Sequence, residues 1–165
     1  MAKTSSRRPR PAKRRKRSAA PTAAGATGQI RYIESSALVA ALLEEDPSAR
    51  VAIEADRCVT SALTFAEASR AIIRARVSGR VSAEREQAII RALRTIERRW
   101  FIVEVTAAIL ARVAVRFPIE PIRTLDAIHL ATAELLGEPP PLITIVTRDA
   151  RVAGNARALG YAVED

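Results

Sequence analysis

Apolar positions along the chain follow two alternating patterns, which predict strands and helices in turn. Short runs rich in β-branched residues, such as 57–61, are typical of buried strands. Longer stretches with apolar residues three and four positions apart, such as Phe65, Ala68 and Ile72, are typical of helices. The patterns predict strands at residues 30–34, 57–61, 100–105, 142–147 and 161–163. They predict helices at residues 36–44, 47–55, 62–77, 82–98, 106–117, 123–136 and 149–159.

The order of these elements predicts the α/β fold class. One or two helices separate most strands from the next, and such connections favour parallel strands with right-handed crossovers. Helices on both faces then give a three-layer α/β/α sandwich with a mainly parallel central sheet. Residues 161–163 are expected to add a short edge strand. A length of 165 residues suits one such domain.

The first 29 residues differ sharply in composition from the rest of the chain. They hold nine of the 27 Lys and Arg residues, no acid, and no Leu, Val, Ile or aromatic residue. The 18 remaining basic residues equal the 18 Asp and Glu residues, so the rest carries no net charge. We predict a disordered basic tail at 1–29 and one domain at 30–165. The basic cluster 13–17 either binds nucleic-acid phosphates or is solvated without a specific partner.

Cysteine content and hydropathy bear on where the protein works. A single cysteine, Cys58, excludes an internal disulfide and fits a reducing cytoplasm. No apolar run is long enough to cross a bilayer, which predicts no membrane association through a spanning helix. We therefore expect a cytoplasmic protein, with an organellar transit peptide in the tail as the alternative.

Four acids lie where an α/β fold would bring them together. Glu34 ends the first predicted strand, Glu67 lies in the helix after the second, and Asp149 follows the fourth. The carboxyl edge of a parallel sheet is where ligands bind in such folds. Asp126 lies near the start of a largely apolar helix, where a carboxylate is costly unless a cation or a hydrogen bond balances it.

This set of carboxylates predicts a metal site. Oxygen ligands without Cys or His suit a hard cation, which here means Mg²⁺ or Mn²⁺. Such an ion activates water and neutralises charge on a scissile phosphate, so phosphodiester hydrolysis is the reaction we expect.

Five segments resemble, in order and spacing, successive motifs of PIN-domain nucleases, and most closely those of VapC-type toxins. They are residues 32–38, 60–67, 125–133, 146–149 and 156–161, with Asp-Ala-Ile-His-Leu-Ala in the third as the most specific. The resemblance implies a PIN fold and an Mg²⁺- or Mn²⁺-dependent endoribonuclease that acts as the toxin of a toxin–antitoxin pair. It also implies RNA as substrate, a cognate antitoxin protein as partner, and a homodimer.

The resemblance also assigns individual residues. Glu34, Glu67, Asp126 and Asp149 match the family's catalytic, metal-binding acids. Ser36 matches a supporting hydroxyl after the first acid, and Thr147 matches a residue that helps to hold the fourth. Glu34 departs from the pattern, because the family more often has Asp there. Its longer side chain must reach the metal from a backbone set further back, or through water.

Several residues keep two interpretations at this stage. Arg70, Arg74, Arg123 and Arg148 either contact RNA or the antitoxin, or form ion pairs on a solvated face. His129 either assists near the metal or is a hydrogen-bonded core or interface histidine, and the second is the commoner situation. Two other functions stay open for the chain: a PIN nuclease of RNA processing or repair without an antitoxin, and a non-catalytic nucleic-acid-binding module.

Overall fold

Short parallel strands form the centre of the computed structural model, which describes residues 29–165. Within these residues the strands are β1 (Ile30–Ile33), β2 (Cys58–Ser61), β3 (Phe101–Val103), β4 (Ile143–Val146) and β5 (Ala162–Glu164). They pair in the spatial order β3-β2-β1-β4-β5, and every pair is parallel. The predicted tail, residues 1–29, lies outside the described residues except for Gln29.

Helices cover both faces of this sheet. In chain order they are α1 (Ser35–Val39), α2 (Pro47–Ile53), α3 (Ala62–Val77), α4 (Ala83–Arg99), α5 (Ala107–Val113), α6 (Thr124–Glu134) and α7 (Ala150–Ala158). Helices α1 to α4 pack on one face and α5 to α7 on the other. The predicted α/β class with a parallel central sheet is therefore confirmed. No helix in the described part of the chain has the length and apolar character needed to span a membrane.

The sheet separates two apolar cores. Along β1, Ile33 faces the α1–α4 side and Tyr32 faces the α5–α7 side, because successive side chains of a strand point to opposite faces. Both residues are buried, as are all four residues of β4. Burial on both faces explains why β4, Ile-Thr-Ile-Val, lacks the alternation of apolar and charged residues that a half-exposed strand shows.

The predicted helix at 36–44 is not one regular helix. It consists of α1 followed by a π-helical turn, Ala40–Glu44, and Glu45 then adopts the left-handed conformation with a φ of 60°. The backbone N–H of Asp46 donates to the Ala40 carbonyl at 3.1 Å, which closes this wide turn. Asp46 next caps α2 by accepting a hydrogen bond from the Ala49 N–H at 3.0 Å.

Two other predicted elements are shorter in the structure. The helix predicted at 106–117 ends at Val113, because Phe117 turns into the second core, where the guanidinium of Arg112 lies 4.0 Å from its ring centre. The strand predicted at 100–105 begins at Phe101 and ends at Val103. Trp100 lies outside it because its buried indole packs on the first core and donates to the Ile53 carbonyl at 3.3 Å.

The buried side chain of Asn155 on α7 anchors the loop between α5 and α6. Its Oδ1 accepts from the Ile119 N–H at 2.9 Å, and its Nδ2 donates to the Ile119 carbonyl at 2.9 Å. The Asn155 amide therefore forms with the Ile119 backbone the same pair of hydrogen bonds that a neighbouring β-strand would form.

Replacing Asn155 with Ala is expected to lower the free energy of unfolding by roughly 1–3 kcal/mol, because partly buried backbone groups lose their partners. Chemical denaturation measures this change. Gln87→Ala, on an exposed position of α4, is the control and should stay within about 0.5 kcal/mol of wild type. Equal stability of the two variants would contradict the anchoring role of Asn155.

The order of the strands places a topological switch point at the carboxyl ends of β1 and β4. From β1 the chain adds β2 and β3 on one side, whereas β4 and β5 lie on the other side. Connections leave the carboxyl ends of β1 and β4 in opposite directions, and ligands of open α/β sheets bind at such a point. Glu34 directly follows β1, and Thr147 directly follows β4.

Candidate metal centre

Glu34 is buried at the carboxyl end of β1 and caps the helix that follows. Its side chain is 5% exposed. Its Oε2 accepts hydrogen bonds from the Ser36 N–H at 3.0 Å, from the Thr147 hydroxyl at 2.9 Å and from the Ser36 hydroxyl. Its Oε1 accepts one, from the Ser35 hydroxyl at 2.5 Å. Oε1 is therefore the oxygen with the greater capacity for another ligand.

Ser36 and Thr147 join the segments that follow β1 and β4. Besides contacting Glu34, the Ser36 hydroxyl accepts from the Arg148 N–H at 2.7 Å, and the Thr147 hydroxyl accepts from the Asp149 N–H at 3.0 Å. The two predicted supporting hydroxyls thus tie the segment after β4 to the start of α1. This arrangement holds the longer Glu34 side chain back against its own helix.

Asp149 stands at the start of α7. Its Oδ1 accepts from the N–H groups of Arg151 and Val152 at 2.7 and 3.3 Å, which makes Asp149 the N-cap of the helix. A carboxylate that caps a helix is fixed in orientation by these hydrogen bonds and is stabilised by the positive end of the helix dipole.

Asp126 carries the clearest sign of a missing partner. It lies in the first turn of α6, and its Oδ2 is buried without a hydrogen-bond partner within residues 29–165. Burial raises the pKa of the Asp126 carboxyl above its ordinary value, and the nearby charges of Asp149 and Glu34 raise it further. The positive charge of Arg123 opposes this increase in the pKa. A divalent cation would satisfy Oδ2 and remove the repulsion among the carboxylates.

Glu67 joins the cluster from α3, where its side chain is 24% exposed at the edge of the site. Its Oε2 lies 2.8 Å from His129 Nε2, which in turn lies 3.8 Å from Glu34 Oε1. Glu34, Glu67 and His129 each offer a ligand atom within 4.8 Å of the others. Glu34 and Glu67 therefore lie close enough together to share a metal ion. Asp126 lies close enough to Glu34 and Asp149 for their negative charges to raise its pKa.

His129 and Tyr32 extend the cluster into the second core. His129 is 1% exposed and hydrogen-bonded on both ring nitrogens, as expected of a core histidine, and its contact with Glu67 also places it beside the acidic cluster. Sequence reasoning missed Tyr32, whose hydroxyl lies 3.1 Å from His129 Nδ1. The available signal was its alternation with Ile33, which directs Tyr32 to the face that α6 covers.

The four predicted arginines divide into two groups. Arg148 is engaged within the fold: its Nε contacts Asp46 Oδ2 at 3.0 Å, and its Nη2 donates to the Ser48 hydroxyl at 2.6 Å. The Arg148 guanidinium holds the pKa of Asp46 well below its usual range. The other three are exposed, and none of them forms a salt bridge within residues 29–165. They are Arg70, Arg74 and Arg123.

Comparisons with known proteins agree with this fold and site. The PIN domain model matches residues 31–157. Ribonuclease VapC35 of Mycobacterium tuberculosis is 40% identical over 137 residues, which cover 80% of this chain and 93% of that protein. VapC20 of Mycobacterium tuberculosis, a toxin that cleaves the sarcin-ricin loop, superposes with a TM-score of 0.57 at 18% identity, covering 80% of this chain and 96% of that one. VapBC2 of Rickettsia felis, bound to a DNA fragment from their promoter, gives a TM-score of 0.54 at 14% identity, covering 82% and 97%.

The chain belongs to the PIN domain family. The matched region holds all four acids of the cluster, together with Ser36 and Thr147. The resemblance that the five sequence motifs indicated is therefore confirmed, and VapC35 is a relative of nearly the same length as the described domain. The two solved structures, at 14% and 18% identity, support the fold alone.

Proposed function

We propose that this protein is the toxin of a toxin–antitoxin pair and a metal-dependent endoribonuclease. The observation that carries the proposal is the unpartnered, buried Oδ2 of Asp126 beside Glu34 and Asp149 in a PIN domain. The 40% identity to Ribonuclease VapC35 supports RNA as the substrate.

Each acid has a distinct part in the proposed site. Asp126, Asp149 and Glu34 would be the main ligands of Mg²⁺ or Mn²⁺, and Glu67 would complete or tune the site. When bound, such an ion supplies an activated water and neutralises charge on the scissile phosphate. The hydroxyls of Ser36 and Thr147 fix Glu34, and the start of α7 fixes Asp149. These contacts hold the carboxylates in place before RNA arrives, so that little reorganisation is needed.

The exposed arginines suit the two macromolecular partners. Arg70 and Arg74 lie one and two turns beyond Glu67 on α3, so they share its face. We assign them to RNA phosphates, which Arg binds well, and to acidic groups of a cognate antitoxin. The antitoxin blocks the site by pairing a basic side chain with the carboxylates. A homodimer is the assembly that the family resemblance favours, and the single cysteine favours a reducing cytoplasm.

RNA cleavage by the purified chain tests the proposed function. With Mg²⁺ or Mn²⁺ the protein is expected to cut single-stranded RNA, and EDTA should stop the reaction. Intact RNA together with a persistent gel shift would favour the non-catalytic nucleic-acid-binding alternative. Cleavage without any growth arrest on expression would favour a processing or repair nuclease.

The basic tail is assigned to non-specific RNA affinity, since the domain carries no net charge. Removing residues 1–28 is expected to weaken RNA binding at about 50 mM salt and to have less effect at about 200 mM salt. Each lost phosphate contact should reduce the slope of log affinity against log salt by about 0.7. Fluorescence anisotropy with a labelled RNA measures the slope. The control is a full-length chain with residues 13–17 changed to Gln, which should reproduce most of the loss in RNA affinity. A salt slope that is unchanged in both the truncated and the Gln-substituted chain would contradict the assignment.

A further inference from the structure

His129 forms a buried connection between the core and the acidic cluster. It lies one turn after Asp126 on α6, with its side chain 1% exposed. Its two ring nitrogens contact residues that are 97 and 62 positions away in the chain, Tyr32 and Glu67. The Tyr32 and His129 rings also meet edge to face, with centroids 6.2 Å apart and an interplanar angle of 73°. The imidazole is therefore fixed in both position and orientation.

The contact with Glu67 identifies the protonated nitrogen. A carboxylate only accepts hydrogen bonds, so at 2.8 Å the Nε2 of His129 must carry the proton that it donates to Glu67 Oε2. Nδ1 then accepts from the Tyr32 hydroxyl at 3.1 Å, so that one tautomer satisfies both contacts. A protonated Nε2 has no lone pair for a metal. His129 is near enough to Glu34 and Glu67 to resemble a metal ligand. Its Nε2, however, is already engaged as the hydrogen-bond donor to Glu67.

Glu67 depends on a single side-chain partner more than Glu34 and Asp149 do. Asp149 is fixed by two backbone N–H groups, and Glu34 by three hydroxyls and one N–H. Glu67 is partly exposed, on a long side chain, and His129 supplies its hydrogen bond. Without this bond, the Glu67 carboxylate would sample other rotamers, some of them directed toward solvent.

We propose that His129 is a positioning residue, which donates a hydrogen bond from Nε2 to Glu67 and holds this carboxylate in the metal centre without binding the metal. The proposal rests on the proposed function in one respect, since it takes Glu67 to be part of the metal site. Tyr32 acts one step further away, by keeping the proton of the imidazole on Nε2.

Nitrogen NMR of the full chain tests the tautomer directly. The protein has one histidine, so ¹⁵N-labelled imidazole in the untagged wild type reports on His129 alone. We expect a protonated Nε2 that keeps its proton when Mg²⁺ alone is added. A proton confined to Nδ1, or loss of the Nε2 proton on addition of Mg²⁺, would overturn the proposal. This result does not depend on RNA cleavage, so it is separate from a failure of the proposed function.

Two substitutions separate positioning from simple packing. Gln can place an amide N–H near the position of Nε2, whereas Leu fills the space without a donor. His129→Leu is expected to weaken Mn²⁺ binding about 10- to 100-fold, as loss of a partner of a metal ligand does. His129→Gln should recover most of that affinity, and in a Glu67→Gln background the two variants should bind Mn²⁺ equally. If Leu and Gln bind Mn²⁺ equally in the presence of Glu67, His129 has only a packing role.

Discussion

Replacing Asp126 with Asn is expected to reduce RNA cleavage at least about 100-fold. Removing even a hydrogen-bond partner of a metal ligand typically lowers metal affinity or activity about 10- to 100-fold, and Asp126 is a proposed ligand itself. The substitution keeps the size and shape of the side chain but removes its charge. It also replaces a carboxylate oxygen that is buried without a partner within residues 29–165. Initial rates with a short labelled RNA and Mn²⁺ measure the loss.

The same substitution should not destabilise the metal-free protein. The folded protein raises the pKa of Asp126 above its unfolded value, so the charged form opposes folding at neutral pH. This loss of folding stability shrinks as the pH drops through the raised pKa of the folded state toward the pKa of Asp in the unfolded chain, near 4. In EDTA at neutral pH, Asp126→Asn is therefore expected to melt at or above the wild-type temperature, and the difference should shrink in acid. Mg²⁺ should raise the melting temperature of the wild type only.

A matched substitution gives the control. Asp56 is exposed and directly precedes the segment leading into β2, at the amino edge of the sheet and opposite the site. Asp56→Asn should retain both full cleavage and the response to Mg²⁺. A loss of cleavage in Asp56→Asn comparable to that in Asp126→Asn would show that general charge, rather than the metal centre, governs activity.

Replacing Leu38 with Ala is expected to cost about 2–5 kcal/mol of unfolding free energy, the usual range for a buried Leu. Leu38 is fully buried in α1 and packs in the core beneath α3 and α4. The lost methyl groups leave a cavity in the core beneath α1, the helix whose first turn Glu34 caps. Urea denaturation measures the change in stability.

Leu110 on α5 provides the comparison for Leu38. It is 52% exposed, so Leu110→Ala should stay within about 0.5 kcal/mol of wild type. Similar losses in the two variants would contradict the position of α1 in the core, and with it the placement of Glu34 at the carboxyl end of β1.

Local signals in the sequence were sufficient for most of the fold. Helix α3 has the predicted bounds, because Ser61 caps its first turn and Gly79, with a φ of 73°, follows its end. Ser82 and Thr106 cap α4 and α5 at the expected positions. These features depend on neighbours a few residues away, which a single sequence shows directly.

The remaining features depend on contacts between distant parts of the chain. Phe117 leaves the predicted helix because a core position is available on the sheet. Pro118 after it disfavours a helical conformation at Phe117, but nothing near it in sequence indicates that its ring is buried in the second core. The same holds for the hydrogen bonds that join Tyr32, His129 and Glu67. The four acids could be chosen from the strand ends and the motifs, but the direction of each carboxylate could not. Glu34 turns back onto Ser36 and Thr147 because β1 and β4 are neighbours in the sheet.

Growth after induced expression of the full chain, measured beside Asp126→Asn at equal protein levels, tests the central claim most directly. The claim is that clustered carboxylates hold a divalent cation and make this PIN domain a ribonuclease toxin. We predict that the wild type arrests growth and that Asp126→Asn does not. Growth arrest of equal strength in both strains would contradict the account.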